Sequence, residues 1–394
     1  MAEWVECKIG DLCDTISDTY KGNDENVILV NTSDVLEGKV LNHIQVPNKN
    51  LKGQFKKTFR KDDILFSEIR PANKRFAIID FEDTSNYIAS TKLMVLRHNE
   101  KILPEYLFAI LKSNYILTEL QHLAETRSGT FPQITFTSEL APMKVNLPDK
   151  KTQKQIVSIL SSIEKKIDAN ESINNNLLEQ VLAIYRHRFV DTTNELRQIC
   201  RADEYFDISI GKTPPRKEPQ WFSTNPKDVT WVSISDMGTC GLYISESSEQ
   251  LTKEAVDRHN VKIVPDNTVL LSFKLTVGRI AITDGEMTTN EAIAHFKTDK
   301  KEINEYLYCY LKCFNYQTMG STSSIATAVN SKIIKGMPFI VPTDEEITEF
   351  HSLAAPMFAR IKANQAEIRN LTLLRDALLP KLMSGELNVS DIDL

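Results

Sequence analysis

The stretch from Lys150 to Phe189 constrains the fold more than any other part of the chain. Its apolar residues recur in alternating steps of four and three, and it contains neither Pro nor Gly. Heptad spacing of this kind places one apolar stripe along a long helix, and that stripe needs a partner helix because it cannot enclose a core alone. About 40 helical residues would form a rod of roughly 60 Å. We therefore expect a second rod.

A comparable pattern lies near the C-terminus, from Glu345 to Leu387. The first stripe is interrupted by two polar residues, Asn170 and Asn174, and a shift of 194 positions superimposes the two patterns and places Asn170 on Asn364. A buried Asn costs stability but fixes register, because it forms its hydrogen bonds only when the helices are aligned. Pro356, inside the second pattern, is expected to kink that helix near its start. The residues predicted to pair the helices are Ile156, Leu160, Ile163, Ile167, Asn170, Leu177, Val181, Met357, Ile361, Asn364, Ile368 and Leu371.

The segments that precede the two rods also repeat. Ser33-Asp34 recurs as Ser235-Asp236, and the apolar run that starts at Arg75 recurs at Arg279. The chain is therefore predicted to contain two copies of one unit, with a mixed α/β (α+β) fold, antiparallel coiled-coil rods and a pseudo-two-fold repeat. The predicted parts are a domain over residues 1–147, a long helix over 148–190, a similar domain over 191–341 and a second long helix over 342–394.

Within each domain we expect short strands followed by a helix. The apolar runs in NVILVNTSDV, DDILFSEIR and RFAIIDF predict strands, and LPEYLFAILKSNYILTEL predicts one helix packed on the sheet. No apolar run approaches 18 residues, and the first ten residues do not resemble a signal peptide, so we expect a soluble intracellular protein.

The composition excludes some kinds of site. The net charge is −6 at pH 7, which does not indicate a nucleic-acid binder by itself. The six Cys show no CxxC pair and the seven His no cluster, so a zinc site is not expected.

Basic residues nevertheless cluster locally. Residues 49–61 contain six basic residues and no acid, with Phe55 and Phe59 between them. The segment is either a strand edge protected by lysines or a surface that contacts phosphates, and the residues alone favour neither interpretation. A polar loop from Arg127 to Gln133 carries side chains able to reach base edges, and SSIATAVN occupies the same place in the second copy. The candidate DNA-contacting residues are Lys49, Lys52, Lys56, Lys57, Arg60, Lys61, Arg70, Lys74, Arg75, Arg127, Thr130, Gln133, Lys212, Arg216, Lys217, Lys274 and Arg279.

Motifs for catalysis are missing from the sequence. It contains no phosphate-binding GxxxxGK[ST], no GxGxxG, no Asp/Asn-Pro-Pro-Tyr/Phe, no HExxH and no GxSxG. We therefore predict no catalytic, cofactor-binding or metal-binding residues.

Several segments, in order along essentially the whole chain, resemble the specificity (S) subunits of Type I restriction-modification systems. They are Trp4-Val5 with IGDLCDTI, NLPDKKTQKQIVSIL, LLEQVLAIYRHRFVD, ISIGKTPPR followed by TWVSISDM, and LLPKLMSGEL.

The resemblance implies a cytoplasmic prokaryotic protein without catalytic activity of its own or a cofactor. Each domain would recognise one half of a bipartite site on double-stranded DNA. The rods would set the gap and bind modification subunits, expected to be two, which carry the adenine methyltransferase, while restriction subunits would join for cleavage. The alternatives are a protein-only scaffold, whose basic patches are merely solvated, and an autonomous methyltransferase or nuclease, which the missing motifs disfavour.

Overall fold

The structure is a computed structural model that describes residues 4–49, 53–127, 131–191, 197–319 and 329–389. The chain divides into two compact units. Unit 1 comprises Met1–Lys166 with Leu371–Leu394, and unit 2 comprises Ile167–Asn370. Both divisions fall inside long helices, so each unit contains a part of each helix.

Unit 1 begins with short strands and two helices. The strands are β1 (Val5–Lys8), β2 (Cys13–Ile16), β3 (Asn26–Val30), β4 (Val35–Leu36), β5 (Lys39–Val40), β6 (Gln45–Pro47), β7 (Phe55–Lys57), β8 (Ile64–Ser67), β9 (Phe76–Ile78), β10 (Tyr87–Ser90), β11 (Leu93–His98) and β12 (Lys144–Leu147). The helices are α1 (Pro104–Leu111), α2 (Asn114–Arg127) and the long helix α3 (Lys150–Tyr185), which continues into unit 2.

The central sheet of unit 1 has the order β2-β11-β8-β9, and a second sheet has the order β6-β3-β10-β7. Alternate residues of β8 enter two different clusters: Ile64 and Phe66 pack with α1 and α2, whereas Leu65 packs with β3 and β10. This explains why β8 is apolar throughout instead of alternating, since both of its faces are covered.

Unit 2 repeats the same kind of element. Its strands are β13 (Ile199–Arg201), β14 (Asp207–Ile210), β15 (Phe222–Ser223), β16 (Val229–Val232), β17 (Tyr243–Ile244), β18 (Glu249–Leu251), β19 (Val269–Ser272), β20 (Ile280–Thr283), β21 (Thr288–Thr289), β22 (Ile293–Lys297) and β23 (Pro338–Ile340). Its helices are α4 (Ala202–Tyr205), α5 (Asp236–Thr239), α6 (Lys253–Arg258), α7 (Asn304–Cys313), α8 (Ser331–Lys335) and the long helix α9 (Asp344–Ser384), which ends in unit 1.

The strand orders reproduce the internal repeat. The order β14-β22-β19-β20 in unit 2 corresponds to β2-β11-β8-β9 in unit 1, and β18-β16-β21 corresponds to β6-β3-β10. In the sheet that contains β3 and in the one that contains β16, one pair of strands is parallel: β3 with β10 and β16 with β21. The copies differ at the edges, where β7 lies beside β10 but β15 lies beside β18. The chain thus contains two mixed α/β domains of one topology.

The prediction of one helix over LPEYLFAILKSNYILTEL is wrong, because α1 ends at Leu111 and α2 starts at Asn114. The backbone tightens at the junction, where the Ser113 N–H donates to the Ile110 carbonyl. Ser and Asn compete for backbone hydrogen bonds and favour such breaks over helix interiors.

The helices α3 and α9 follow the two heptad patterns. In unit 1, Ile156 and Leu160 of α3 share a buried cluster with Leu382 of α9. In unit 2, Val181 of α3 lies in one cluster with Ile361 of α9. Of the residues predicted to pair the helices, the buried ones are Ile156, Leu160, Asn170, Val181, Ile361 and Asn364, and the half-buried ones are Ile163, Ile167, Leu177, Met357, Ile368 and Leu371.

Two buried Asn side chains link the long helices within unit 2. Asn170 Nδ2 donates to Glu367 Oε2 at 2.8 Å, and Asn364 Nδ2 donates to Asn174 Oδ1 at 2.8 Å. The numbers rise along α3 while they fall along α9. Within this unit, therefore, the two helices run in opposite directions.

Pro356 does not end α9, which is continuous from Asp344 to Ser384, and the expected kink at this position stays a prediction. Phe358 and Ala354 beside it are buried, whereas Pro356 and Ser352 are exposed. The carbonyl of Ser352, which loses its usual N–H partner four residues on, therefore faces water, where its hydrogen bond is replaced.

The helical turn that directly follows α3, Arg186–Val190, is held by Arg197. Arg197 donates to the carbonyls of Arg188 and Phe189 and pairs with Glu346 at the start of α9. A cation at the carbonyl end of a helix is favoured by the helix dipole. Arg197 thus fixes the end of one long helix to the start of the other within unit 2.

Candidate nucleic-acid interface

Each domain presents a hairpin whose loop is fixed by a buried serine. The hairpins are β8–β9 in unit 1 and β19–β20 in unit 2. Ser67 is 2% exposed and Ser272 is 0% exposed. The N–H of each serine donates across the hairpin to a backbone carbonyl, of Arg75 in unit 1 and of Arg279 in unit 2. The two loops are therefore equivalent parts of the repeat.

Both loops carry side chains on a left-handed backbone. In unit 1, φ is 46° at Arg70 and 53° at Lys74, and in unit 2, φ is 61° at Leu275. Few residues other than Gly adopt this conformation, and a bulky side chain does so rarely. The loops thus project defined side chains at a cost in backbone energy.

Arg75 and Arg279 hold these hairpins in place, and a contact of either with DNA stays a prediction. Arg75 Nη1 donates to the carbonyls of Ser33 and Val35, and Arg279 Nη1 donates to the Ile234 carbonyl at 2.6 Å. Because their guanidinium groups bond to backbone of the same domain, these two residues support the fold.

The basic segment of residues 49–61 includes edge strand β7 (Phe55–Lys57), which pairs antiparallel with β10. Neighbouring lysines on it differ: Lys56 is exposed, whereas Lys57 Nζ donates to the Leu93 carbonyl at 2.8 Å. Burial lowers the pKa of Lys57. This bond ties Lys57 to the fold, and Lys61 forms an ion pair with Glu82. Lys52 lies outside the described residues.

The loop predicted to reach base edges is engaged with carboxylates of unit 1. Gln133 Nε2 donates to Glu68 Oε2 at 2.8 Å, and Lys92 Nζ donates to Gln133 Oε1 at 3.4 Å. Arg127 pairs with Glu139 at 2.8 Å. Thr130, and residues 320–328 in the equivalent loop of unit 2, lie outside the part that the structure describes. Glu68 and Lys92 were missed because nothing in the sequence links them to Gln133.

In unit 2 the predicted basic loop is partly anchored. Arg216 forms two hydrogen-bonded contacts with Glu249, at 2.9 and 2.8 Å, and its guanidinium lies 4.1 Å from the Phe222 ring centroid and 4.7 Å from that of Trp231. Lys212 Nζ donates to the His259 carbonyl at 2.6 Å. The guanidinium plane of Arg216 remains half exposed, but its position is set by these neighbours.

Six of the candidate cations are exposed and form neither a side-chain ion pair nor a side-chain hydrogen bond with other described residues. They are Lys49, Lys56, Arg60, Arg70, Lys217 and Lys274. Lys74 is also exposed but pairs with Glu37 at 3.0 Å. Three of the six, Lys49, Lys56 and Arg60, come from one edge segment, and Arg70 and Lys274 come from the two equivalent hairpin loops. This set is available for phosphate groups.

The titratable groups in the core of unit 2 are structural. His295 is 0% exposed, with Nδ1 at 3.0 Å from Ser209 Oγ and Nε2 at 2.7 Å from Thr289 Oγ1. The two hydroxyls hold the buried imidazole from both sides. Burial lowers the pKa of His295 to about 3 and raises that of the Cys309 thiol.

Groups of His, Cys, Asp and Glu that could hold a metal ion are absent from the described residues. Across those same residues, no helix combines the length and the hydropathy needed to span a membrane. Nothing in the described site points to a cofactor.

Comparison with known proteins adds to this picture. The family model for the Type I restriction modification DNA specificity domain matches residues 1–179 and 195–364. The HindI specificity subunit of Haemophilus influenzae is 30% identical, over 98% of this chain and 100% of that protein. The MjaIX specificity subunit of Methanocaldococcus jannaschii is 26% identical, over 74% of this chain and 71% of that protein.

A solved structure shows the same fold. The crystal structure of the S subunit of a Type I restriction-modification system from M. genitalium has a TM-score of 0.55 and 15% identity, and the match covers 97% of this chain and 96% of that one.

Two versions of one mixed α/β domain, each matched by the specificity-domain model, define a two-domain DNA-specificity protein. The chain belongs to the family of specificity subunits of Type I restriction enzymes.

Proposed function

We propose that this chain is the non-catalytic DNA-recognition subunit of a Type I restriction-modification complex, in which each domain recognises one half of a bipartite target. The observation that carries the proposal is the repeated hairpin, whose loop presents an exposed cation in each domain, Arg70 in the first and Lys274 in the second. Two versions of one recognition surface with different side chains suit two half-sites of different sequence.

The long helices are proposed to set the distance between the half-sites. In each unit a part of α3 packs with a part of α9, and in unit 2 the two run in opposite directions. We extend this to one antiparallel coiled coil over both helices, with a pseudo-two-fold repeat. The domain boundaries proposed on this basis are residues 1–147 and 191–341, with the helical segments 148–190 and 342–394 between and after them. The Asn contacts would then fix the register, and hence the gap.

The proposed partners follow from the family. They are double-stranded DNA, modification subunits that carry the methyltransferase, proposed to be two, and restriction subunits that carry the endonuclease. The net charge of −6 supports shared binding, since a chain with excess acid gains from phosphate contacts made by its partners.

Enrichment of target DNA tests the proposal. The modification subunits are purified with and without this chain and mixed with a random duplex library, and the bound DNA is sequenced. We expect two short conserved blocks at a fixed gap, only when the chain is present. A chain that assembles with the modification subunits but enriches no sequence would instead be a protein scaffold.

A further inference from the structure

We propose that Leu275 contacts DNA directly and buries its side chain against a base pair of the half-site recognised by the second domain. This inference rests on the proposed function and adds an apolar contact to a surface so far described by its charges. Leu275 is 100% exposed, more than any other large apolar side chain in the described residues. It belongs to the β19–β20 loop and makes no apolar contact of its own there.

The loop holds Leu275 outward against its backbone preference. Its φ is 61°, in the left-handed region that disfavours a branched side chain. The buried Ser272 hydroxyl fixes the loop from both sides, because Oγ donates to the Thr276 carbonyl at 2.6 Å and accepts from the Arg279 N–H at 3.0 Å. Because the backbone at Leu275 is unfavourable and its side chain is exposed, this residue does not stabilise the fold. This is the signature of a functional residue.

The repeat places a second residue in the same position. Arg70 lies three residues after Ser67, as Leu275 lies three residues after Ser272, and its φ is 46°. Arg70 is exposed and suited to guanine or phosphate, whereas Leu suits the C5 methyl group of thymine. Counted from the buried serine, both domains thus place an exposed side chain on a left-handed backbone at the same distance, although the loop of unit 1 is one residue longer, and the side chains differ as expected for residues that discriminate between bases.

The neighbouring residue supplies the charge needed at a DNA surface. Lys274 is exposed and directly precedes Leu275. Proteins that contact thymine methyl groups, or that insert a side chain between base pairs, combine an apolar side chain that touches the base with a cation that binds the DNA backbone. In both modes, contact with a thymine methyl group and insertion between base pairs, the Leu275 side chain is buried against DNA. The experiment distinguishes the two modes.

The test compares Leu275→Asn with wild type in the assembled complex with modification subunits. Asn tolerates the left-handed backbone but removes the apolar contact. We expect the melting temperature of the chain to stay constant or rise by about 1–3 °C, while affinity for target DNA falls about tenfold. Ile263→Asn is the matched control, since Ile263 is 53% exposed in the same unit, and it should leave affinity unchanged.

Target DNA with uracil in place of thymine in the second half-site identifies the mode. A loss of wild-type affinity that Leu275→Asn does not share indicates contact with the methyl group. If only the protein variant weakens binding, Leu275 inserts between base pairs. Unchanged affinity and unchanged methylated sequence in Leu275→Asn would overturn this inference alone. A wild-type complex whose methylation does not depend on this chain would overturn the proposed function, and this inference with it.

Discussion

At the scale of single residues, two neighbouring lysines on β7 are predicted to have different roles, one in DNA binding and one in the stability of the fold. Lys56 is exposed, whereas Lys57 Nζ bonds to the Leu93 carbonyl. We expect Lys56→Gln to weaken DNA binding by the assembled complex severalfold for all sequences, and to reduce the slope of log affinity against log salt by about 0.9. Lys57→Gln should keep the slope and lower stability by about 1 kcal/mol. DNA-binding titrations at several salt concentrations measure these slopes. Equal slopes for both variants would contradict the different roles of Lys56 and Lys57.

His295 predicts a pH dependence of stability. Its pKa is about 3 in the folded chain because of burial, and about 6.5 when unfolded. Below about pH 6.5 the unfolded chain binds a proton that the folded chain does not, so stability falls by up to about 1.4 kcal/mol per pH unit as the pH decreases towards 3. The full stability contribution is present above pH 6.5.

Urea unfolding between pH 5 and 7.5 measures this effect. His295→Gln should be less stable at neutral pH, because two hydrogen bonds change, but its stability should depend less on pH. His122→Gln, at an exposed His, is the control and should retain the wild-type slope. An unchanged slope in His295→Gln would mean that other groups cause the acid sensitivity.

The sequence predicted where basic residues cluster, but it did not predict which of them are exposed and which bond to the fold. A period of two along β7 separates Lys56 from Lys57, yet the exposed face follows only from the pairing with β10. Arg216 is anchored by Glu249 and Trp231, which lie 33 and 15 positions away. Such contacts depend on the tertiary fold, which local propensity does not contain.

At the scale of elements, the polar contacts between α3 and α9 should act as a coupled pair. Asn364→Leu alone leaves Asn174 without its partner and should cost about 1–2 kcal/mol. The double variant Asn174→Leu with Asn364→Leu replaces both groups by apolar ones and should recover most of that loss.

A double-mutant cycle by urea unfolding measures the coupling, which we expect to exceed about 0.5 kcal/mol. Single variants whose effects simply add would show that the hydrogen bond between the two Asn side chains contributes nothing specific.

The heptad pattern was the most informative signal for these elements because a side chain's place on a helix follows directly from its number. It located both long helices and placed Asn170 and Asn364 on their apolar sides, where both are buried. It placed Asn174, the partner of Asn364, on the same stripe, but it did not give the partner of Asn170, since Glu367 lies off the predicted stripe. The break between α1 and α2 was missed for a different reason: the apolar pattern continues across Ser113.

At the scale of the whole molecule, the repeat explains how one chain would recognise two different sequences. The strand orders of the two domains agree, whereas their edges and loops differ. Sheets and helices therefore carry the common fold, and we propose that differing positions such as Arg70 and Leu275 carry the specificity. Short matches such as Ser33-Asp34 with Ser235-Asp236 revealed this repeat because they lie at the loop that Arg75 and Arg279 hold.

The most direct measurement maps methylated adenines in cells that express this chain with its modification subunits, by long-read sequencing. A second strain carries a chimera in which residues 191–341 come from another specificity subunit. We predict one bipartite motif with a fixed gap, which is lost without the chain, and in the chimera only one half of it changes while the gap stays the same. Methylation that does not depend on the chain, or a chimera that alters both halves, would contradict the account.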